Sequence, residues 1–246
     1  MKKYAVLSDI HGNSWALKAV LGDIQGREIR DLINLGDIFY GPLDPAGTAD
    51  VLKEYRMETV RGNEDRIIYE TTARKIKNPT LENVKSQLSQ REIKWLCQLP
   101  KTAVVDGEIF CCHGTPESDT EYLLEEVRNN RVMLRSEEDI EKLVKGIDCP
   151  VIVCGHSHVA KTLRLEDGRV IVNAGSVGLP AYSDDSPQFH RMEAGTPHAS
   201  YVILDKKKTG WDVQTVKVVY DWDKAAVLAA ENGRKDWAQW LRTGRD

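Results

Sequence analysis

Five short apolar runs in this chain stop on side chains that are costly to bury. "YAVLSDIH" reaches Asp9 and His11, "INLGD" reaches Asp37, "TVRGN" reaches Asn63, "FCCHG" reaches His113, and "VIVCGHSH" reaches His156 and His158. Glycines beside them let backbone and ions approach closely. Residues two apart on an extended chain face the same side, so Asp9 with His11, and His156 with His158, are expected to aim at one point just past a strand end. A lone Asp there is ordinarily a turn former or helix cap, and a lone His a surface or satisfied core residue. Seven nitrogen and oxygen donors at the carboxyl ends of strands, where open α/β sheets place their sites, point instead to a metal centre.

The intervening sequence has an α/β pattern. "YAVL" precedes a helical period over 14–25, "DLINL" one over 45–55, and "METV" a helical stretch from 64 into the seventies. "SQREIKWLCQ" opens on Ser89 with Glu92 three positions later and stops before Pro100, which predicts a capping-box helix. "KTAVV" and "EIFCC" flank Asp106 and Gly107 as a hairpin. Residues 117–146 are charged and read as helical; "PVIVC", "KTLRL", "RVIVN", "SYVIL" and "WDVQTVKVV" then add strands of a second, more antiparallel sheet. The stretch 180–198 is rich in Pro, Ser, Asp and Gly and is expected to be a flap or functional rim, with His190, Arg191 and His198 solvated. The tail from 221 reads as a helix whose Trp222, Trp237 and Trp240 pack, as does Tyr40. A single domain over 1–246 accommodates all of this.

Lys and Arg number 34 against 38 Asp and Glu, a net charge of -4 that excludes bulk nucleic-acid binding as an expectation. No apolar run approaches the roughly 20 residues of a membrane span, and "MKKYAVLSD" has too short an apolar core for a signal peptide. Five cysteines without a CxxC, two of them adjacent at Cys111 and Cys112, read as reduced strand filler. A cytoplasmic protein is expected.

Seven donors exceed the needs of one ion, so two divalent cations sharing a carboxylate, roughly 3.5 to 4 Å apart, are the economical arrangement, with Asp37 as the bridge. Imidazole and carboxylate without thiolate suit manganese, iron, zinc or nickel over calcium or magnesium. Two such cations bring about +4 against -2 from Asp9 and Asp37, and a shared hydroxide leaves roughly +1, which welcomes an anionic phosphoryl group.

The strings "DIH", "GDIFYG", "GNED", "CHG" and "GHSH", with "NAGSVG" at 173–178, resemble the calcineurin-like metallophosphoesterases, and most of all their small, single-domain bacterial-type phosphodiesterase branch. That resemblance implies an α/β fold, a four-layer α/β/β/α sandwich of two facing mixed sheets. Carried over by position, it implies a first metal on Asp9, His11, Asp37 and His158 and a second on Asp37, Asn63, His113 and His156. It also implies a substrate pocket lined by Asn13 and the turn ending at Gly178, although Asn13 equally suits the cap of a helix beginning at Ser14. Many members carry His after Gly-Asn as the leaving-group acid; here stands Glu64, which acts as an acid only if burial or its neighbour Asp65 raises its pKa, and otherwise turns outward. The expected activity is hydrolysis of a small phosphodiester, nucleotides included, by in-line attack of a metal-bridging hydroxide. A phosphomonoesterase, including a serine/threonine protein phosphatase, and a non-catalytic metal-binding scaffold, such as the family's retromer subunit, are the alternatives. The sequence gives no expectation of oligomeric state.

Overall fold

The computed structural model describes residues 2–70 and 78–246. The first part of the chain alternates strand and helix as expected: β1 (Lys3–Leu7), α1 (Ser14–Gly26), β2 (Asp31–Asn34), α2 (Pro45–Leu52), β3 (Glu58–Thr59) and α3 (Asn63–Glu70). Any continuation of α3 into the seventies lies outside the described residues. Two further helices follow, α4 (Pro79–Gln87) and α5 (Gln90–Gln98), the latter opened by the expected Ser89–Glu92 capping box. Then come β4 (Thr102–Val105), β5 (Ile109–Cys112), β6 (Glu125–Arg128), β7 (Arg131–Leu134), α6 (Glu137–Leu143), β8 (Val151–Cys154), β9 (Lys161–Arg164) and β10 (Val170–Asn173). The chain closes with β11 (Ala181–Asp184), β12 (His190–Glu193), β13 (Ala199–Lys207), β14 (Gly210–Val218), α7 (Trp222–Glu231) and α8 (Lys235–Thr243).

Two five-stranded mixed sheets result, in the orders β14-β13-β1-β2-β3 and β4-β5-β8-β10-β9. In the first, β1, β2 and β3 run parallel; in the second, β5, β8 and β10 do, with antiparallel strands at both edges. Side-chain alternation builds the layers. Tyr4 and Val6 of β1 meet Cys111, Val151, Val153 and Val172 between the sheets. Ala5 and Leu7 face the other way, onto Leu17 and Leu21 of α1 and Leu241 of α8. Cys112, Ile152 and Cys154 cover the outer face of the second sheet with Ile140 of α6. Three apolar seams therefore separate four layers, helix, sheet, sheet and helix. Because each sheet is covered on both faces, its parallel strands read as unbroken apolar runs such as "VIVC". The carboxyl ends of the parallel strands open on one rim. Among the described residues, no helix is long and apolar enough to cross a membrane.

Four points differ from expectation. "SYVIL" and "WDVQTVKVV", expected in the second sheet, lie in β13 and β14, which join the first sheet beside β1. Within 117–146, β6 and β7 form a hairpin where a helix was expected: Asn129 and Asn130 both take left-handed φ, 51° and 59°, the backbone of a tight two-residue turn. The tail is two helices, because Gly233 at φ 81° reverses the chain between α7 and α8. The 180–198 stretch contains the antiparallel ribbon β11–β12.

Leu204, wholly buried between the sheets, and Leu134, half exposed on β7, calibrate this packing. Leu204→Ala is expected to lower unfolding stability by about 2–5 kcal/mol and Leu134→Ala by no more than about 0.5 kcal/mol. Urea midpoints of the two variants check this.

Candidate metal centre

The donors converge by a sharper device than strand alternation. Asp9, His11, Asp37, His156 and His158 all lie past their strands with φ between 52° and 67°. Left-handed backbone is uncommon for residues other than glycine and persists only where the surroundings over-determine it. Here the loops after β1 and β2 are laced together: Asp9 N–H donates to Gly36 O at 3.0 Å, His11 N–H to Asp37 O at 2.9 Å and Gly12 N–H to Ile38 O at 2.9 Å. Below them, the Asp65 carboxylate accepts the N–H groups of Asp37, Ile38 and Gly62 at 2.8, 2.9 and 3.0 Å. From the other side Gly178 donates its N–H to Asp9 O at 2.9 Å, and a Cβ on Gly178 would sit 1.8 Å from Ile10 O, so only glycine fits.

Asp9 Oδ1 lies 3.3 Å from His158 Nε2, 3.9 Å from His11 Nε2 and 4.0 Å from His113 Nε2. Asp37 Oδ2 lies 3.3 Å from His113 Nε2, which is also 3.0 Å from Asn63 Oδ1. Donor atoms of Asp9, His11 and His158 fall within 4.8 Å of one another, as do those of Asp37, His113 and His156, and those of His11, Asp37 and Glu64. Asp37 thus stands between the two His-rich groups. Six of the seven donors expected from sequence fall in these groups, and the seventh, Asn63, adjoins them through His113.

Tautomers follow from the far side of each ring. His113 Nδ1 faces Leu35 O at 2.8 Å and His11 Nδ1 faces Tyr40 O at 2.9 Å, so both Nδ1 atoms carry hydrogen and each Nε2 is turned to the centre. His11 Nε2 and His158 Nε2 approach to 3.1 Å, a contact of lone pairs that a cation or a shared proton relieves. Asp9 Oδ1 and His158 Nδ1 are buried without a hydrogen bond. Hard and borderline donors with orphaned electron pairs fit divalent transition metals.

Burial alone would raise Asp9, but the His158, His113 and His11 imidazoles outweigh it and hold the carboxyl well below its usual range. Asp37 is lowered in the same way, against burial, by His113 and His11. Burial pulls His11 and His113 down, yet Glu64 and Asp37 lift His11 to about 9, and Asp37 and Asp9 lift His113 to about 10. Burial lowers His156 to about 4 and also lowers His158. The carboxylates thus favour charged imidazoles at His11 and His113, and these imidazoles favour ionised Asp9 and Asp37.

The remaining sequence candidates divide. Asn13 is a clasp and not a pocket wall: fully buried, it caps α1 through Ala16 N–H at 3.1 Å and donates to Gly178 O at 2.9 Å and Tyr220 Oη at 3.2 Å. Gly178 lies beneath the Asp9 loop for the same reason. Asp65, pushed up to about 7 by burial and Asp37, braces the Asp37 loop and does not line the cavity over the donors. Glu64 does line it and is turned inward, its Oε2 3.1 Å from His11 Nδ1, where burial pushes its carboxyl up to about 7.

That cavity, of about 270 Å³, is floored by His11, Asp37, Asn63, His156 and His158 and walled by Tyr40, Tyr182, Arg234, Trp237 and Trp240. Sequence reasoning missed Tyr182 and Arg234 and read Trp237 and Trp240 as packing only; Trp237 does pack, edge-on to His11 at 5.7 Å. No local spacing marks Arg234, whose guanidinium is held by Asp236 and Thr80. His190, expected to be solvated, is 1% exposed. A larger groove of about 530 Å³ around Phe39, Trp95 and Leu99 contains none of the seven donors.

Residues 2–205 match the family described as the calcineurin-like phosphoesterase superfamily domain. An uncharacterized protein of Methanocaldococcus jannaschii, MJ0912, is 26% identical over 256 residues, covering 95% of this chain and 94% of that protein. A metallophosphoesterase from Sphaerobacter thermophilus superposes with a TM-score of 0.75 at 24% identity over 99% of each chain. The hypothetical protein PH1004 from Pyrococcus horikoshii OT3 does so with 0.74 at 18% identity, again over 99% of each. The four-layer fold is thus shared at full length.

Because His11 and His113 hold protons up to about pH 9 and 10, a cation must displace them. Manganese affinity is therefore expected to rise with pH through the neutral range, with up to two protons released per protein. Calorimetry in buffers of different ionisation enthalpy measures this; heats independent of buffer would contradict it.

Proposed function

The chain belongs to the calcineurin-like phosphoesterase superfamily, and from that premise we propose that it hydrolyses small phosphodiesters, nucleotide-type molecules among them, at a centre of two divalent cations. The observation that carries this reading is the position of Asp37 between two His-rich donor groups. Cations held there would supply Lewis-acid polarisation of phosphoryl oxygens and a water of lowered pKa. The assignment we make is Asp9, His11, Asp37 and His158 for one cation and Asp37, Asn63, His113 and His156 for the other.

The protein's own groups set the electrostatics. Asn63 brings an amide oxygen where a carboxylate would add charge, so the loaded centre would carry one negative charge fewer and repel an anion less. Glu64 stands where many relatives place an imidazole acid. Cations nearby favour its ionised form, whose Oε2 lies 3.1 Å from His11 Nδ1 as an ion-pair contact while the Nδ1–H donates to Tyr40 O. In that role Glu64 orients a metal ligand and donates no proton to a leaving group. Substrates whose leaving group departs as a stable anion are then favoured, which supports diesters over alkyl monoesters. The cavity, at about 270 Å³, is slightly smaller than the roughly 300–1,000 Å³ of small-molecule sites, which supports a compact substrate. Arg234 at its wall offers a guanidinium fixed by Asp236 and Thr80, suited to an anionic group. Unpaired thiols at Cys97, Cys111, Cys112, Cys149 and Cys154 support a reducing, cytoplasmic setting.

With manganese supplied, bis-p-nitrophenyl phosphate is expected to be cleaved faster than p-nitrophenyl phosphate, and Asp37→Asn to lower the rate by about 100-fold or more, the equivalent of several kcal/mol of lost stabilisation. A clear monoester preference would refute the diesterase assignment. An unchanged rate in Asp37→Asn would place the activity elsewhere.

A further inference from the structure

We propose that a buried cluster of Tyr122, Tyr182 and His190 positions His156 and thereby sets the affinity of the cation held with Asp37 and His113. The proposal rests on the two-cation reading above. Its starting point is an asymmetry among the histidines. His11 and His113 are each fixed by an Nδ1–H bond to a backbone carbonyl, Tyr40 O and Leu35 O. Among the described residues the His156 ring has no such bond, and its neighbours are rings: Tyr122, stacked on it at 4.7 Å and 30°, and His113 at 5.1 Å. A metal-binding imidazole without a hydrogen-bonded orienter needs another restraint, because outer partners that fix a ligand ring change metal affinity by about 10- to 100-fold.

The cluster supplies that restraint from three separate segments. His190 on β12 donates Nδ1–H to Gln188 O at 2.8 Å, so its Nε2, 2.8 Å from Tyr122 Oη, is free to accept the Tyr122 hydroxyl hydrogen. Tyr182 Oη gives its single hydrogen to the main-chain oxygen of His156 at 3.0 Å and lies 2.7 Å from Tyr122 Oη, whose own hydrogen is shared between Tyr182 Oη and His190 Nε2. The chain of contacts therefore runs from His190 through both tyrosines to the backbone of His156. One end pins the carbonyl of a residue at φ 67°, and the middle stacks on its ring. Tyr182 also meets His158 edge-on at 4.6 Å, a ring contact that Tyr182→Phe keeps, so that variant removes only the hydroxyl and with it the hydrogen bond to the His156 backbone. His190 and Tyr122 are buried, which removes water as a competing partner. Neither tyrosine offers itself as a metal ligand, so the three are positioning residues.

The test is a manganese titration of metal-free protein, following free Mn²⁺ by its electron paramagnetic resonance signal, with His156→Ala identifying which of two binding steps belongs to His156. Tyr182→Phe removes one hydroxyl and keeps the shape of the side chain; Tyr122→Leu removes the stacked ring; Tyr122→Phe keeps the ring. Expected is a loss of about 10-fold or more in that step for Tyr122→Leu and Tyr182→Phe, with the other step unchanged and with Tyr122→Phe less affected than Tyr122→Leu. Wild-type affinity for that step in Tyr182→Phe, or equal weakening of both steps, would overturn the proposal while leaving two cations in place. A wild-type protein that binds fewer than two ions would overturn the two-cation reading and this proposal with it.

Discussion

Asp9 keeps a negative charge at zero solvent exposure, with three imidazole nitrogens within 4.0 Å of one oxygen. A buried carboxylate is tolerated only when compensated, and the compensation must come from every direction at once. The fold can be read as the means of delivering it. Two sheets face each other so that the carboxyl ends of β1, β2 and β3 in one stand over those of β5 and β8 in the other. The chain then turns immediately after those ends, in left-handed backbone that costs on the order of 1 kcal/mol or more at each of several donors. Such strain persists because neighbouring main chain fixes both sides of every loop. The "NAGSVG" turn belongs to that restraint: Asn173 donates to Gly155 O at 2.7 Å and to Ser157 Oγ at 3.0 Å, and Ser176 Oγ donates to Asp9 O at 2.8 Å.

Much of this was legible in the sequence because it breaks a simple rule. Polar residues such as Asp37 and His113 at the ends of apolar strands have no local reason to be there, and their recurrence exposes the site. The adjacent Cys111 and Cys112 were likewise readable as pointing to opposite faces, and they do face different seams. What was hidden depends on contacts between distant segments or on turn chemistry outweighed by composition. The charged stretch around β6 and β7 looked helical, and its Asn129–Asn130 pair, the actual hairpin signal, was masked by the acidic and basic residues around it. His190 looked solvated because its loop is polar, while its burial comes from Tyr122, 68 positions away in sequence. Asp65 looked like a pKa perturber of Glu64; it is a backbone clamp, which only the loop after β2 could reveal.

The donors and one side of the cavity come from different parts of the chain. The seven donors all lie within the stretch matched to the superfamily, residues 2–205. Arg234, Trp237 and Trp240 come from α8 and the residue that caps it, beyond that stretch, and close one side of the cavity.

The central claim is that Asp37 is shared by two cations. Anomalous diffraction from crystals grown with manganese tests it most directly. The account predicts two peaks about 3.5 to 4 Å apart with the Asp37 carboxylate between them, Asp9, His11 and His158 around one and Asn63, His113 and His156 around the other. A single peak, or two peaks with Asp37 bound to only one, would contradict it.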